Sequence, residues 1–546
     1  MENKEYMLID GNPVEINGEK NLLEVIRKAG IELPTFCYHS ELSVYGACRM
    51  CMVENSHGGM EAACSTVPKA GMEIYTNTER LHKHRKMILE LLLANHCRDC
   101  TTCQKNGKCR LQELASLFGL ESIRFKNLKP EPELDTSSLS IIRDAHKCIL
   151  CGDCVRMCNE IQNVGAIDFV NRGSKMVIGP AFNEPIANSP CVGCGQCAAV
   201  CPTGAIVIRK DTGRVWPELN DKNTKVVAQV APAVRVAMAK EFGLPENENS
   251  MGRITAALRR LGFDEVYDTA TGADLTVLEE SNEFLQRIEA GENLPLITSC
   301  CPAWIQYCEK NHPELMKNIS TCKSPMQMFS SVIKAKYATS SRRVVCVAVM
   351  PCTAKKFECA REEFMHDGVP ETDYVITTQE LIQMIHKAGI VFEELEPEAV
   401  DSVFSTCTGA GVIFGVTGGV TEAVLRRLST DKSNKALMSI AFNDVRGMKG
   451  VKETTIPYGD KEVHIAIVSG LKNAEKVIQA LKNGEHFDFI EVMACPGGCV
   501  AGGGQPFGTN ATKEVRGKAL YSADKMLSIK RSEENPLMLS LYDGVL

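Results

Sequence analysis

At 546 residues, 44% apolar and 24% charged, the chain is long enough for several domains and has the balance of a globular protein, not of a fibrous or disordered one. A net charge of −7 argues against a broad basic face for nucleic acid, and no run of eighteen apolar residues is present to span a membrane. The 26 cysteines are the anomaly: with no hydrophobic or twin-arginine leader in MENKEYMLIDGN, the expectation is a cytoplasmic chain whose thiols bind metal rather than pair as disulfides.

The first predicted elements, in EYMLIDGNPVEINGEKNLLEVIRKAG, are a hairpin and an amphipathic helix. Leu22, Leu23, Val25 and Ile26 recur at helical spacing, and Gly30 stands where a C-cap glycine belongs. Cys37, Cys48, Cys51 and Cys64 follow with the spacing C-x10-C-x2-C-x12-C. Thiolates are soft donors that suit iron, with zinc or simple burial as the other readings. Hairpin, helix and cysteine loop together resemble a β-grasp ferredoxin. The spacing departs from the plant type and is similar to the [2Fe–2S] domain of complex I and related hydrogenases, which gives a first domain over residues 1–80.

In NHCRDCTTCQKNGKC, His96, Cys100, Cys103 and Cys109 are spaced H-x3-C-x2-C-x5-C. Read alone, one histidine with three cysteines also suits zinc. The set resembles the His/Cys3 [4Fe–4S] site that follows the [2Fe–2S] domain in the same families, here over residues 81–122; Cys97 fits neither reading. Over residues 138–210, Cys148, Cys151, Cys154 and Cys158 form C-x2-C-x2-C-x3-C, and Cys191, Cys194, Cys197 and Cys201 repeat it. This is the bacterial two-cluster ferredoxin run, in which the fourth cysteine of each run serves the other cluster. Cys148, Cys151, Cys154 and Cys201 are therefore assigned to one [4Fe–4S] cluster, and Cys191, Cys194, Cys197 and Cys158 to the other. Each such centre carries an electron without moving an atom far, so the four sites are expected to act in series as a wire.

From residue 222 to 546 apolar runs alternate with helical patterns, as in an α/β domain. TKVVAQVAP reads as a strand ending at Ala231-Pro232. Three more strands, LPLITSCCPAW, RRVVCVAVMPC and FDFIEVMAC, end in cysteine, and EVHIAIVSG precedes the helix LKNAEKVIQALKNG. Ligands gather at the carboxyl ends of strands in such sheets, so the strand ends are expected to meet at one buried site. Four of Cys300, Cys301, Cys352, Cys495 and Cys499 would hold a cubane, leaving one spare.

TSCCPAW, MPCTAKKFE and EVMACPGGCVAGGGQP resemble the three signature loops of [FeFe] hydrogenases, and with the N-terminal blocks the likeness extends over nearly the whole chain, closest to the long clostridial type. The resemblance implies an α/β catalytic domain holding an H-cluster, preceded by the β-grasp, His/Cys3 and two-cluster domains. It implies that Cys301, Cys352, Cys495 and Cys499 bind the [4Fe–4S] half of the H-cluster, with Cys499 bridging to a di-iron subsite carrying CO, cyanide and a dithiolate with a central amine. One [2Fe–2S] and three accessory [4Fe–4S] clusters complete the cofactors. Lys355 would face a cyanide, and Pro232, Met350, Phe414 and Met493 would line the di-iron pocket. Ala233 and Ala354 stand where some relatives have serine. Cys300 would be the proton donor, with a thiol that titrates near neutral pH, followed by Glu280, Ser320, Glu283 and, at the surface, Arg287. Glu280, Glu283 and Arg287 lie on one helical face of EESNEFLQRIEA. Gly502, Gly503 and Gly504 are expected to let the main chain pass close to the bulky cofactor.

The implied reaction is reversible 2H⁺ + 2e⁻ = H2 in an anaerobic host, with dedicated maturation enzymes building the di-iron subsite. A complex I-type subunit would leave the three later motifs unexplained, and an iron–sulfur assembly protein or H2 sensor would alter the Cys300 region. No dinucleotide-binding glycine fingerprint is present, so NAD(P) or flavin would sit on partner subunits. The electron partner is expected to be such a multimeric NAD(P)-linked, electron-bifurcating complex, with soluble ferredoxin acting on a stand-alone enzyme as the alternative.

Overall fold

The computed structural model describes residues 5–127, 133–429, 431, 433, 445–458 and 461–544. The N-terminal hairpin forms as expected: β1 (Glu5–Ile9) pairs antiparallel with β2 (Asn12–Ile16). Helix α1 (Leu22–Lys28) starts where the Asn21 side chain accepts the Glu24 amide hydrogen. Its four apolar residues are buried against Met7 and Ile9. With β3 (Met52–Asn55), β4 (Met60–Ala62) and β5 (Glu73–Tyr75) the sheet runs β2-β1-β5-β3-β4. Helix α2 (Glu79–Ala94) and helix α3 (Arg110–Leu117) then pack through Leu89, Leu111 and Leu114 against the first cysteine loop. In the double-cysteine segment, β6 (Ile141–Arg143) pairs antiparallel with β7 (Ile206–Ile208), bringing the ends of the two cysteine runs together.

The remainder builds two four-stranded sheets, where the sequence had shown only that strands and helices alternate. The first holds β8 (Thr224–Val230), β9 (Glu265–Asp268), β11 (Arg343–Met350) and β12 (Tyr374–Thr377), all parallel, in the order β9-β8-β11-β12. Its central strands are nearly unbroken runs of valine and alanine because both faces are covered. The second holds β10 (Leu296–Ile297), β13 (Val451–Tyr458), β14 (Lys461–Ser469) and β15 (Phe489–Met493), in the order β10-β15-β14-β13. Only β13 is antiparallel, and its burial alternates accordingly. Helix α4 (Ala270–Ala290) is buried along nearly its whole first half, from Ala270 to Leu278, where Asp274 is the one acidic residue, and carries Glu279, Glu280, Glu283 and Glu289 on the second half. Helix α5 (Pro302–Asn311), helix α6 (Gly419–Leu428) and helix α7 (Leu471–Lys482) cover the second sheet and the segment beside it. The carboxyl ends of β8, β10, β11 and β15 face one another across the gap between the sheets, and the chemistry-bearing loops start there.

Candidate active site and accessory metal centres

A cavity of about 90 Å³ lies among those strand ends. Cys300, Cys301, Cys352, Cys495 and Cys499 all line it, although they come from three separate parts of the chain. Pro232, Met350, Phe414 and Met493 supply apolar wall. Burial raises the pKa of every one of the five thiols, that of Cys352 to about 11. Buried neutral thiols become thiolates when a cationic core compensates the charge, and iron is such a core, so the donor set fits a cluster. Among the described residues, no three His, Cys, Asp or Glu side chains converge tightly enough for a single ion. The cysteines are arranged around cavities instead, as ligands of a multi-iron core are.

Lys355 also lines the cavity, and its ammonium is held from two sides. Nζ donates to the Cys300 carbonyl (3.2 Å) and pairs with Glu358 (2.7 Å), a residue the sequence reading missed. Burial draws the Lys355 pKa down, but the Glu358 carboxylate and the Cys352 and Cys300 sulfurs outweigh it, and the net shift is upward. The cation is therefore retained inside an apolar wall, where an anionic ligand would find it. The i,i+3 spacing of Lys355 and Glu358 was the one sequence signal for this pair.

From Cys300 the expected relay is present in part as direct contacts. Ser320 Oγ donates to Glu283 Oε2 (2.8 Å), and Arg287 Nη2 donates to Glu283 Oε1 (2.6 Å). Glu280 is wholly buried on α4, and both its oxygens lack a hydrogen-bond partner among the described residues. Burial pushes its pKa up to about 8, against the pull of Ser320. The Cys300 thiol is pushed well above the ordinary range, first by burial and then by Glu280. It therefore holds its proton more firmly than a free thiol that titrates near 8.5. Arg287 also donates to the carbonyls of Asn293, Asn318 and Ile319. These contacts make it a clamp on Glu283.

The glycine run is crowded by main chain. A Cβ on Gly502, which lines the cavity, would strike the Pro351 backbone, one on Gly503 the backbone of Cys194 and Gly195, and one on Gly504 the Pro351 carbonyl and Thr377. The run thus lets the catalytic loop lie against the cysteine-rich segment and the strand ends. Gly497 and Gly498, with φ +90° and +91°, do turn the chain between Cys495 and Cys499, and Gly498 also packs flush on Val416 and Thr417.

Two groups of accessory thiols line cavities of their own. Cys148, Cys151, Cys154 and Cys201 line one cavity of about 20 Å³, and Cys158, Cys191, Cys194 and Cys197 line another of about 20 Å³. Cys37 with Cys48 and Cys51 with Cys64 form two coupled pairs whose charges reach one another. In each pair the shared proton raises one thiol and lowers the other, Cys48 to about 6. Cys109 is raised by burial and then by Cys103 and Cys100. Buried His96 accepts the Arg98 amide hydrogen at Nδ1 (3.2 Å), so ligation through Nε2 requires that hydrogen bond to be given up. Cys37 and Cys109 pack with Cys151 in a single hydrophobic cluster, and Cys103 Sγ lies 2.6 Å from where a Gly204 Cβ would be. Both N-terminal cysteine groups therefore adjoin the segment that lines the Cys148/Cys201 cavity.

A family model described as iron only hydrogenase large subunit, C-terminal domain, matches residues 224–503. A 2Fe-2S iron-sulfur cluster binding domain matches 6–79, an NADH-ubiquinone oxidoreductase-G iron-sulfur binding region 85–124, and a 4Fe-4S dicluster domain 147–209. The NADP-reducing hydrogenase subunit HndD of Solidesulfovibrio fructosivorans is 41% identical over 98% of this chain and 95% of its own length. Iron hydrogenase 1 of Clostridium pasteurianum is 35% identical over 98% and 96%. The solved structure of a variant of the [FeFe]-hydrogenase HydA1 from Chlamydomonas reinhardtii is 36% identical, with a TM-score of 0.53 over 61% of this chain and 93% of that one.

Proposed function

Since the chain belongs to the iron-only, or [FeFe], hydrogenase family and interconverts protons, electrons and H2, we propose that it is the catalytic subunit of a multimeric NAD(P)-linked or electron-bifurcating hydrogenase. Two likenesses support this: HndD is named as an NADP-reducing hydrogenase subunit, and residues 85–124 match a region of NADH-ubiquinone oxidoreductase. NAD(P) and flavin would reside on partner subunits in the cytoplasm. Among the described residues, no helix is long and apolar enough to cross a membrane. Copurification from the native host tests the assignment. A lone chain that reduces ferredoxin and shows no nucleotide-dependent activity in any complex would refute it.

The observation that carries the catalytic reading is the convergence of five thiols and Lys355 on one apolar cavity with a carboxylate–hydroxyl chain beginning behind it. Cys301, Cys352, Cys495 and Cys499 would hold the [4Fe–4S] half of the H-cluster, and Cys499 would also reach the di-iron subsite. When bound, the H-cluster supplies low-valent iron, its diatomic ligands and the basic amine at which a proton is exchanged. The protein's own part is to exclude water with Pro232, Met350, Phe414 and Met493, to place the Lys355 cation, and to move protons. Cys300 Sγ holds a proton and gives it up only to a base inside the cavity. Glu280 returns a proton to it, recharged from Ser320 Oγ and Glu283. The [2Fe–2S] and three accessory [4Fe–4S] sites, including the His96 set, would carry electrons to this site.

Cys300→Ala should leave iron content and the infrared bands of the diatomic ligands unchanged while lowering turnover by at least about 100-fold, as loss of a general acid does. Retained turnover would remove Cys300 from the proton path.

A further inference from the structure

Gln196 sits between Cys194 and Cys197 in the second cysteine run, and nothing in the spacing of that run requires an amide there. Its side chain is buried, at 6% exposure, and points out of its own domain. Nε2 donates to Cys495 Sγ (3.2 Å) and to the Ala501 carbonyl (2.9 Å). One amide thus spans from the loop of an accessory centre to a ligand of the catalytic cavity.

The surroundings hold this contact in place. Thr353 Oγ1, next to Cys352, donates to the Gly193 carbonyl (2.7 Å), and Ser140 Oγ donates to the Thr353 carbonyl (3.0 Å). A Cβ on Gly195 would collide with Thr353, and one on Gly503 with Gly195 at 2.8 Å. Glycine on both sides lets the two cluster loops meet backbone to backbone, and Gln196 is the side chain whose polar hydrogens bridge the seam.

We propose that Gln196 sets the reduction potential of the catalytic [4Fe–4S] cluster. A hydrogen bond to a ligand sulfur stabilises the more negative, reduced cluster and so raises its potential. In the step concerned, one electron leaves the reduced centre held by Cys158, Cys191, Cys194 and Cys197, which is oxidised, and the cluster on Cys495 is reduced; no bond or proton changes hands. With Gln196 in place that transfer runs more favourably toward the catalytic site. Gln196 acts through Cys495 and is therefore a positioning residue. The inference rests on the proposed assignment of Cys495 as a cluster ligand.

The test is a potentiometric titration, followed by electron paramagnetic resonance, of the full chain produced without di-iron maturation. Cys495→Ala identifies the catalytic cluster's signal by difference. In Gln196→Met the ratio of reduced to oxidised cluster at a fixed potential should fall about tenfold, the size of one charge-assisted hydrogen bond, or about 59 mV for one electron. The accessory signals should keep their potentials. Gln196→Leu provides a second variant if Gln196→Met loses cluster. An unchanged potential in a cluster-replete variant overturns the role of Gln196. Survival of the signal in Cys495→Ala overturns the ligand assignment beneath it, and the two failures cannot be confused.

Discussion

Glu491 is the one charge in the run Phe489–Ala494, and it is completely buried. Its carboxylate accepts from Gly418 N (2.6 Å), Thr421 N (2.8 Å) and Thr421 Oγ1 (2.9 Å), which caps the first turn of α6 and ties it to the strand leading into Cys495. Truncation would leave those donors buried and unmet. Glu491→Ala should cost about 2–4 kcal/mol, visible as a lower temperature for loss of the iron–sulfur absorbance, with Glu491→Gln losing less. Glu280 is buried without such partners, which is why its pKa is near 8. Its protonated-carboxyl infrared band should fade as pH rises through about 8 and be absent from Glu280→Gln. The native state binds this proton more tightly than the unfolded chain does, so the group's penalty to stability is absent below pH 4.5 and grows up to about 8. Residues of this kind differ in how legible they were. Ligands announce themselves by spacing, and Glu280, Glu283 and Arg287 by helical period. Gln196 does not, because its partner is 299 positions away and an amide has no motif of its own.

At the scale of elements, strand ends were readable because apolar runs stop at cysteines, and the crossed grouping of the two cysteine runs was readable because its spacing is restrictive. The division into two sheets was not, since strand order depends on contacts far apart in sequence. The glycine run shows the same limit: three glycines signal a close approach without saying to what. Gly503→Ala would force the catalytic loop off the Cys194–Gly195 backbone. Overpacking at such a contact costs about 1–3 kcal/mol. The expected functional result is slower reoxidation of prereduced accessory clusters by protons in rapid-mixing experiments, with cluster content unchanged. An unaltered rate would mean that this seam does not carry the electrons.

Across the whole molecule, composition and cysteine spacing foretold a metal-loaded chain of several units, while the packing of both N-terminal cysteine groups beside the third, which the proposed cluster assignment reads as a branch, came only from tertiary contacts. Phe36, Met50, Leu89, Leu111 and Leu114 gather Cys37, Cys109 and Cys151 together, and none of these apolar residues is distinctive in sequence. On the proposed cluster assignment, Cys64→Ser should remove the [2Fe–2S] spectrum and impair exchange with a partner that docks on the first domain. H2 evolution driven by a small dye should persist through the second branch; loss of both activities together would restore the linear arrangement.

That geometry also fixes where the molecule is vulnerable. The cavity of Cys148, Cys151, Cys154 and Cys201 adjoins both N-terminal cysteine groups, and the other thiol-lined cavity reaches the catalytic pocket through Gln196. On the proposed cluster assignment, damage to either entrance would leave a detour, whereas damage at this confluence would strand an intact catalytic centre with no supply, however many upstream centres survive.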